Sequence, residues 1–151
     1  MGPLIYIENT GTAAAPVFVA GTGSANLFDG FDVGSNSAPA LGDLDNDGDL
    51  DLVVGNYGGE LKVYMENTGT STAPVFVQRT GSSNPFDGVE VAGENGNGES
   101  APALADLDND GELDLVVGNI YGELTYMENT GTTTAPVFVE RTGSANPFDG
   151  I

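Results

Sequence analysis

The amino-acid sequence predicts an all-β protein built from four-stranded antiparallel blades of the β-propeller type, about two and a half of them in 151 residues. Three observations support this prediction. Short motifs recur about every 60 residues, brief apolar runs alternate with turns rich in Gly, Asn and Pro, and no segment has the 3.6-residue period of an amphipathic helix. A repeated unit of four short strands is typical of a propeller blade.

Three motifs each occur three times and mark the repeating units. Tyr-x-Glu-Asn-Thr-Gly occupies 6–11, 64–69 and 126–131; Ala-Pro-Val-Phe-Val occupies 15–19, 73–77 and 135–139; Asn-x-Phe-Asp-Gly occupies 26–30, 84–88 and 146–150. We therefore predict a half blade over residues 2–30, a full blade over 31–88 and a second full blade over 89–151. The half blade corresponds to the third and fourth strands of a full one.

The four strands of a full blade, named A to D, are predicted at 38–42, 50–55, 60–65 and 74–78, and the same assignment fits 101–140. Residues 66–69 predict a turn, because Asn and Gly tolerate positive φ. Pro74 suits an outer edge strand, which can spare an N–H donor. The consecutive apolar residues Leu52 to Val54 predict that both faces of strand B are covered, as in a blade between two neighbours. Recurring aromatic residues are predicted to pack between blades or within them (Phe28, Phe86, Phe148, Tyr6, Tyr64 and Tyr126).

An acidic nonapeptide lies between strands A and B and occurs twice, at 43–51 and 106–114. Its acidic residues alternate along the chain, with Gly at the sixth position: Asp43, Asp45, Asp47, Asp49 and Asp51, and Asp106, Asp108, Asp110, Glu112 and Asp114. Carboxylates this close repel one another strongly without a cation, which disfavours a merely solvated turn. Alternating oxygen ligands with a Gly for the sharp turn are what a calcium loop requires. We predict one Ca²⁺ at the tip of each A–B hairpin.

Two other kinds of metal loop fit less well. An EF-hand loop runs twelve residues and ends in a bidentate Glu, whereas the twelfth positions here are Val54 and Val117, and no helix pattern flanks either loop. A catalytic metal is disfavoured because the chain has no His and no Cys, and no candidate base accompanies the loops. The predicted ions are therefore structural.

The charge balance excludes several functions. The chain has 3 basic and 23 acidic residues, a formal charge of -20, which argues against nucleic acid and anionic membrane surfaces as partners. Two Ca²⁺ ions would bring -20 to -16. No apolar run reaches the ~18 residues of a membrane-spanning helix. The absence of Cys and His excludes disulfides, the usual zinc sites and His-based acid–base chemistry.

The expected location is extracellular or cell-surface, because low-affinity calcium modules work where calcium is millimolar. The first residues lack the basic start and long apolar core of a signal peptide. The repeat pattern is already under way at residue 2, so we expect a segment of a longer secreted protein.

The segment 105–119 and its copy at 42–56 resemble the FG-GAP/VCBS repeat family, which includes the calcium-bearing blades of integrin α-subunit propellers. The flanking motifs resemble those of large bacterial surface and secreted proteins. The resemblance implies calcium held by the side chains at loop positions one, three, five and nine and by the backbone carbonyl at position seven. In this sequence the side chains are those of Asp43, Asp45, Asp47 and Asp51, then Asp106, Asp108, Asp110 and Asp114, and the carbonyls are those of Asp49 and Glu112.

These observations predict a non-enzymatic, calcium-stabilised repeat module of an extracellular structural or adhesion protein. Two and a half blades leave an apolar blade face at each end, and such faces usually have a partner. We therefore expect a homo-oligomeric ring or a filament, or else a longer repeat chain. A carbohydrate-binding, lectin-like module is the alternative, with a glycan or a protein as ligand. An enzyme is least favoured, since glycoside hydrolysis needs two carboxylates at a set distance in a cleft and the clustered ones are assigned to metal.

Overall fold

The computed structural model describes residues 3–61, 63–89, 91 and 98–150. It contains three antiparallel sheets, of two, four and four strands. The first comprises β1 (Ile7–Asn9) and β2 (Phe18–Ala20); the second β3 (Ala38–Gly42), β4 (Asp51–Gly55), β5 (Val63–Asn67) and β6 (Phe76–Arg79); the third β7 (Ala101–Ala105), β8 (Asp114–Gly118), β9 (Leu124–Asn129) and β10 (Phe138–Arg141). The all-β prediction is confirmed, and the four-stranded meanders are compatible with propeller-like blades.

Helix in the described residues is confined to three short 3-10 turns, Gly23–Ala25, Gly81–Ser83 and Gly143–Ala145. Each lies in the segment that follows the last strand of a sheet. A search of the same residues finds no helix with the length and apolar character needed to cross a membrane.

The third and fourth strands of the first full blade differ from the prediction at their ends. Strand β5 continues through Asn67, whereas residues 66–69 were expected to turn; Lys62, inside the predicted strand, lies outside the described residues. Asn67 belongs to the strand because its N–H donates to the Asp51 carboxylate at 2.8 Å. Its side-chain oxygen accepts the N–H of Val75 at 2.9 Å. The β5–β6 ladder therefore starts at Phe76 rather than at residue 74.

Two apolar clusters cover the two faces of strand β4. Its three central residues are buried, with Leu52 2 %, Val53 0 % and Val54 1 % exposed, which confirms the expectation of a strand covered on both sides. One cluster lies between the first four-stranded sheet and the chain preceding it, and contains Leu4, Val33, Leu52, Val54, Val63 and Met65. The other lies between the two four-stranded sheets, and contains Leu44, Val53, Leu61, Tyr64, Phe86, Val91, Leu115, Val117 and Met127.

Aromatic rings join successive units in these clusters. Phe28 lies 5.0 Å from Phe76 between ring centroids, and Phe86 lies 4.7 Å from Phe138 in a stacked arrangement. Each pair links a motif phenylalanine of one unit to the fourth strand of the next. The predicted blade-to-blade role of Phe28 and Phe86 is confirmed by these contacts.

The first four-stranded sheet meets the chain just before β7 at Gly55. A Cβ atom on this residue would lie 2.0 Å from the backbone oxygen of Ser100. The Ser100 hydroxyl also accepts the Asn56 N–H at 2.9 Å and donates to the Glu60 carbonyl at 3.0 Å. Backbone contact therefore joins the two units, and it requires a residue without a side chain at this point.

Two arginine–glutamate pairs bridge the third and fourth strands of the full blades. Arg79 donates two hydrogen bonds to Glu66, at 2.8 and 2.7 Å, and Arg141 donates two to Glu128, at 2.9 and 2.8 Å. All four side chains are about one-third exposed. Solvent screens exposed pairs of this kind, so they orient the outer strands more than they stabilise the fold.

Candidate metal site

Three carboxylates converge in each Asp loop. One oxygen each from Asp43, Asp45 and Asp47 lie within 4.8 Å of one another. The second loop repeats the arrangement with Asp106, Asp108 and Asp110. Each loop closes an antiparallel hairpin, since β3 pairs with β4 and β7 pairs with β8. The carboxylates therefore lie at one end of each blade, at equivalent places.

The backbone of each loop is shaped by an Asn and a Gly in the left-handed region. Asn46 has φ 57° and Gly48 has φ 94°, and both residue types adopt such angles more readily than others do. This turn directs the N–H groups of Asp47 and Gly48 to the Asp43 carboxylate, at 3.1 and 3.0 Å. The loop thus holds its first carboxylate in place through its own backbone.

Asp51, at the ninth position, has a different environment. It is 1 % exposed, and its carboxylate accepts three hydrogen bonds from three segments. Oδ1 accepts the Asn67 N–H at 2.8 Å, and Oδ2 accepts the Leu44 N–H at 3.1 Å and the Tyr64 hydroxyl at 3.3 Å. This carboxylate ties the loop to the third strand of the blade.

Asp114 has the same environment in the second blade. Its Oδ1 accepts the Asn129 N–H at 2.9 Å, and its Oδ2 accepts the Leu107 N–H and the Tyr126 hydroxyl, both at 3.1 Å. The repetition shows that the hydrogen-bonding pattern belongs to the repeat rather than to one copy of it.

The ten predicted ligand residues thus fall into three groups. The side chains at positions one, three and five converge. The side chains at position nine lie outside these two clusters and accept the hydrogen bonds just described. At position seven the N–H groups of Asp49 and Glu112 donate to Asp47 and Asp110, both at 2.9 Å, and neither side chain belongs to a carboxylate cluster. The ligand roles of all ten residues stay predictions, including the carbonyl role of position seven and the side-chain role of position nine.

The electrostatics of the loops disfavour the ionised forms of Asp45, Asp51 and Asp108. Loss of solvation, and then the neighbouring Asp47, raise the pKa of Asp45. Loss of solvation and Asp110 likewise raise the pKa of Asp108. Burial raises the pKa of Asp51 to about 6, against the opposing effect of the Asn67 and Leu44 hydrogen bonds. A divalent cation among these groups would favour their charged forms.

The donor set suits a hard cation. Each cluster offers carboxylate oxygens alone, and the sequence contains no His or Cys that would select a softer metal. Ca²⁺ takes six to eight oxygen ligands, including backbone carbonyls and water. Three convergent carboxylates in a loop rich in carbonyl groups fit that requirement.

Three residues have roles that the sequence reasoning did not assign. The Tyr64 hydroxyl and the Asn67 N–H hold Asp51, and Ser100 joins the two full blades. The signal for the first two was the recurring Tyr-x-Glu-Asn-Thr-Gly motif, which follows the Asp loop at nearly the same distance in both full blades: Tyr64 is 13 residues after Asp51, and Tyr126 is 12 after Asp114. Ser100 also recurs, since Ser-Ala-Pro-Ala-Leu occupies 37–41 and 100–104, but this repeat gave no sign of its contact with Gly55.

Replacing Asp51 by Asn should lower the free energy of unfolding of the calcium-free protein by about 1–3 kcal/mol, because a neutral amide cannot accept all three hydrogen bonds. Urea unfolding in EGTA measures this. Asp49→Asn is the matched control, since the Asp49 side chain makes no hydrogen bond in the described structure. Equal effects of the two changes would contradict the role of Asp51.

Comparison with known families identifies a repeat in this part of the chain. The family model described as FG-GAP-like repeat matches residues 43–117. The matched segment starts at the first residue of the first loop and ends in strand β8, so it contains both Asp loops. No curated protein and no solved structure matches the chain.

Proposed function

Residues 43–117 place the chain in the FG-GAP-like repeat family, and from that membership we propose that the protein is a calcium-stabilised, non-enzymatic repeat module of an extracellular structural or adhesion protein. Repeats of this family typically occur in extracellular proteins. The observation that carries the proposal is the convergence of three carboxylates at the same place in two successive hairpins.

The ions would be held by Asp43, Asp45 and Asp47 in the first loop and by Asp106, Asp108 and Asp110 in the second. Bound Ca²⁺ would offset the repulsion between these carboxylates. Within each blade, the ninth residue would then connect the filled loop to the third strand through its hydrogen bonds. Calcium would in this way stiffen the blade from its end to its middle.

A structural role agrees with the chemistry at the site better than catalysis does. The clustered carboxylates are engaged by loop N–H groups, and the chain has no His or Cys to act beside them. Family members are generally non-enzymatic, which supports the same conclusion.

Self-assembly through the outer blade faces is part of the proposal, because equivalent positions differ in exposure. Leu44 is 3 % exposed between the two full blades, whereas its counterpart Leu107 on the outer face is 44 % exposed. On the opposite side, Met65 is 0 % exposed and its counterpart Ile7 is 54 % exposed. Light scattering in calcium tests assembly into a ring or filament; a monomer at all concentrations would contradict it.

Carbohydrate binding is the second candidate, and one cavity favours it. A cavity of about 430 Å³ opens between the two full blades, and its mainly polar lining includes Asp45, Tyr64, Glu66, Ser82 and Thr134. Hydroxyl and carboxylate groups of this kind can hydrogen-bond a sugar. Calcium-dependent binding on a glycan array would support this function, and an array without signal would oppose it.

Calcium and pH should act together on stability. In EGTA, the melting temperature should fall between about pH 5 and about pH 7.5, because the folded state holds the Asp51 proton more tightly than the unfolded chain does. The pKa of Asp51 rises from 3.8 to about 6 on folding, so its contribution is complete below about pH 4 and is lost as the pH passes 6.

Calcium needs deprotonated ligands, so the melting-temperature increase that it causes should grow over the same interval. Thermal melts at the two pH values, with calcium and with EGTA, measure both effects. The Asp51→Asn variant should show a shallower pH dependence in EGTA. A calcium effect of the same size at both pH values would contradict the prediction.

A further inference from the structure

Within the part of the chain that the structure describes, strand β1 has one free edge, whereas its counterparts in the two four-stranded sheets have none. Strand β5 lies between β4 and β6, and β9 lies between β8 and β10, but β1 pairs with β2 alone. The Tyr6 carbonyl accepts the Gly21 N–H at 2.9 Å, and the Thr10 N–H donates to Val17 at 2.8 Å. Backbone groups alternate along a strand, so those of Ile7 and Asn9 point to the free edge.

The free edge also carries the two donors that hold a loop carboxylate elsewhere. In the full blades a tyrosine hydroxyl and an asparagine N–H bind the ninth residue of the Asp loop. Their counterparts on β1 are Tyr6 and Asn9, in the same motif. Within the described residues no carboxylate meets the Tyr6 hydroxyl. The half blade therefore carries the two hydrogen-bond donors of this interaction, and the carboxylate that would accept them must come from another segment.

An exposed apolar surface lies beside this edge, and we call it the floor. It is formed by Leu41 and Leu50, which are 55 % and 53 % exposed. Their counterparts in the next blade, Leu104 and Leu113, instead pack beside Gly42 and against the apolar cluster between the blades. A mainly apolar cavity of about 250 Å³ occupies the corresponding place at the half blade, lined by Tyr6, Phe28, Leu41, Leu50 and Phe76. The floor is therefore equivalent to the surface that is covered between the two full blades, and among the described residues no A–B hairpin lies on it.

We propose that β1 and this floor form an acceptor site for an antiparallel A–B hairpin supplied by a separate repeat and carrying its own Asp loop. The inference rests on the proposed function and names its partner. The second strand of the hairpin pairs with the free edge at Ile7. The ninth residue of its loop accepts the Tyr6 hydroxyl and the Asn9 N–H. The small residue at the end of its first strand, the counterpart of Gly42, lies on Leu41 and Leu50.

The acceptor favours a hairpin over a whole second copy of this chain. In the described structure the A–B hairpins are already paired within their own blades, since β4 lies between β3 and β5 and β8 lies between β7 and β9. A docked second copy would cover the floor without pairing with β1. Calcium is required in either case, because an Asp loop brings five acidic groups to a chain of charge -20.

A labelled peptide of residues 37–56 is the probe, and it is titrated with the full chain in calcium by fluorescence anisotropy. The chain is diluted to a concentration at which light scattering shows a monomer, and we expect saturable one-to-one binding there. Ile7→Pro should weaken binding at least tenfold, because it removes an N–H from the free edge while the Glu8–Val19 pairing with β2 remains. Circular dichroism checks that this variant stays folded.

The same substitution at equivalent tyrosines shows whether a loss of peptide binding comes from the acceptor site itself or from a general effect on the fold. Tyr6→Phe should weaken binding about fivefold, the equivalent of one hydrogen bond. Tyr126→Phe removes the same hydroxyl at a site already filled, so it should leave peptide binding unchanged. A peptide with Asn in place of Asp51 should bind about as weakly to the parent chain as the parent peptide binds to the Tyr6→Phe chain.

Three results would overturn the inference: no saturable binding, equal binding to the parent and Ile7→Pro chains, or a dimer that the peptide does not displace. None of them bears on whether calcium raises the melting temperature of the chain alone. Failure of the acceptor site is thereby distinguishable from failure of the proposed function.

Discussion

Removal of calcium should lower the melting temperature of this protein by about 10 °C or more. When the free calcium concentration is 100 times the dissociation constant of a site, binding at that site stabilises the folded state by ~2.7 kcal/mol. Two such sites, at ~2–4 °C per kcal/mol for a domain of this size, give a shift of that order. The physical origin is the repulsion among three carboxylates held within 4.8 Å of one another in each loop.

Variants that disable one Asp loop at a time show whether both loops bind calcium. Asp45→Asn and Asp108→Asn should each remove about half of the calcium-dependent shift, because each disables one cluster. Magnesium should substitute poorly, since it prefers a smaller octahedral shell and gives up its water reluctantly. Scanning calorimetry in calcium, magnesium and EGTA measures all three. Protein freed of metal whose melting temperature does not respond to added calcium would refute the calcium assignment.

Replacing Gly55 by Ala should destabilise the protein by about 3 kcal/mol or more, or prevent the two full blades from packing. The added Cβ would lie 2.0 Å from the backbone oxygen of Ser100 and 2.6 Å from its hydroxyl oxygen. Backbone cannot move aside as a flexible side chain can. The expected measurement is a large loss of urea stability in calcium.

Gly118 is the matched control for this change. It occupies the same position in the second full blade, yet a Cβ there would meet only the Leu124 side chain, at 3.6 Å. Gly118→Ala should change the stability by less than about 1 kcal/mol, because its added Cβ makes only an ordinary van der Waals contact and a strand accepts Ala at least as well as Gly. Comparable losses for the two variants would show that the cost comes from the strand and not from the contact between blades.

The sequence predicted the fold class and most strands because the repeats align and because Leu52 to Val54 leave no polar face. The ends of β5 and β6 could not be predicted in the same way. Asn67 favours a turn locally, but a carboxylate sixteen residues earlier holds its N–H in the strand. Local propensity gives way here to a hydrogen bond between distant segments, and periodicity carries no information about such a bond.

The sequence also located the candidate site, because alternating Asp residues around a Gly are typical of a calcium loop. It could not distinguish the position-nine carboxylates from the others, since Asp51 and Asp45 are chemically identical in the sequence. Their difference lies in burial and in donors from β5. The role of Ser100 could not be predicted either, although Ser37 and Ser100 occupy equivalent places in the repeat, because that role depends on how closely the Gly55 backbone approaches Ser100.

The two arginine–glutamate pairs bear on how the molecules behave in concentrated solution. Only three basic residues are present in the sequence, and the guanidinium groups of Arg79 and Arg141 are each held by a glutamate of their own blade. These cations are thus engaged internally and are poorly placed to attract the acidic surface of another molecule. In dilute buffer, molecules should keep their distance through mutual repulsion. Added salt or bound divalent ions relax that repulsion, so ionic strength and calcium together set how closely neighbouring copies approach.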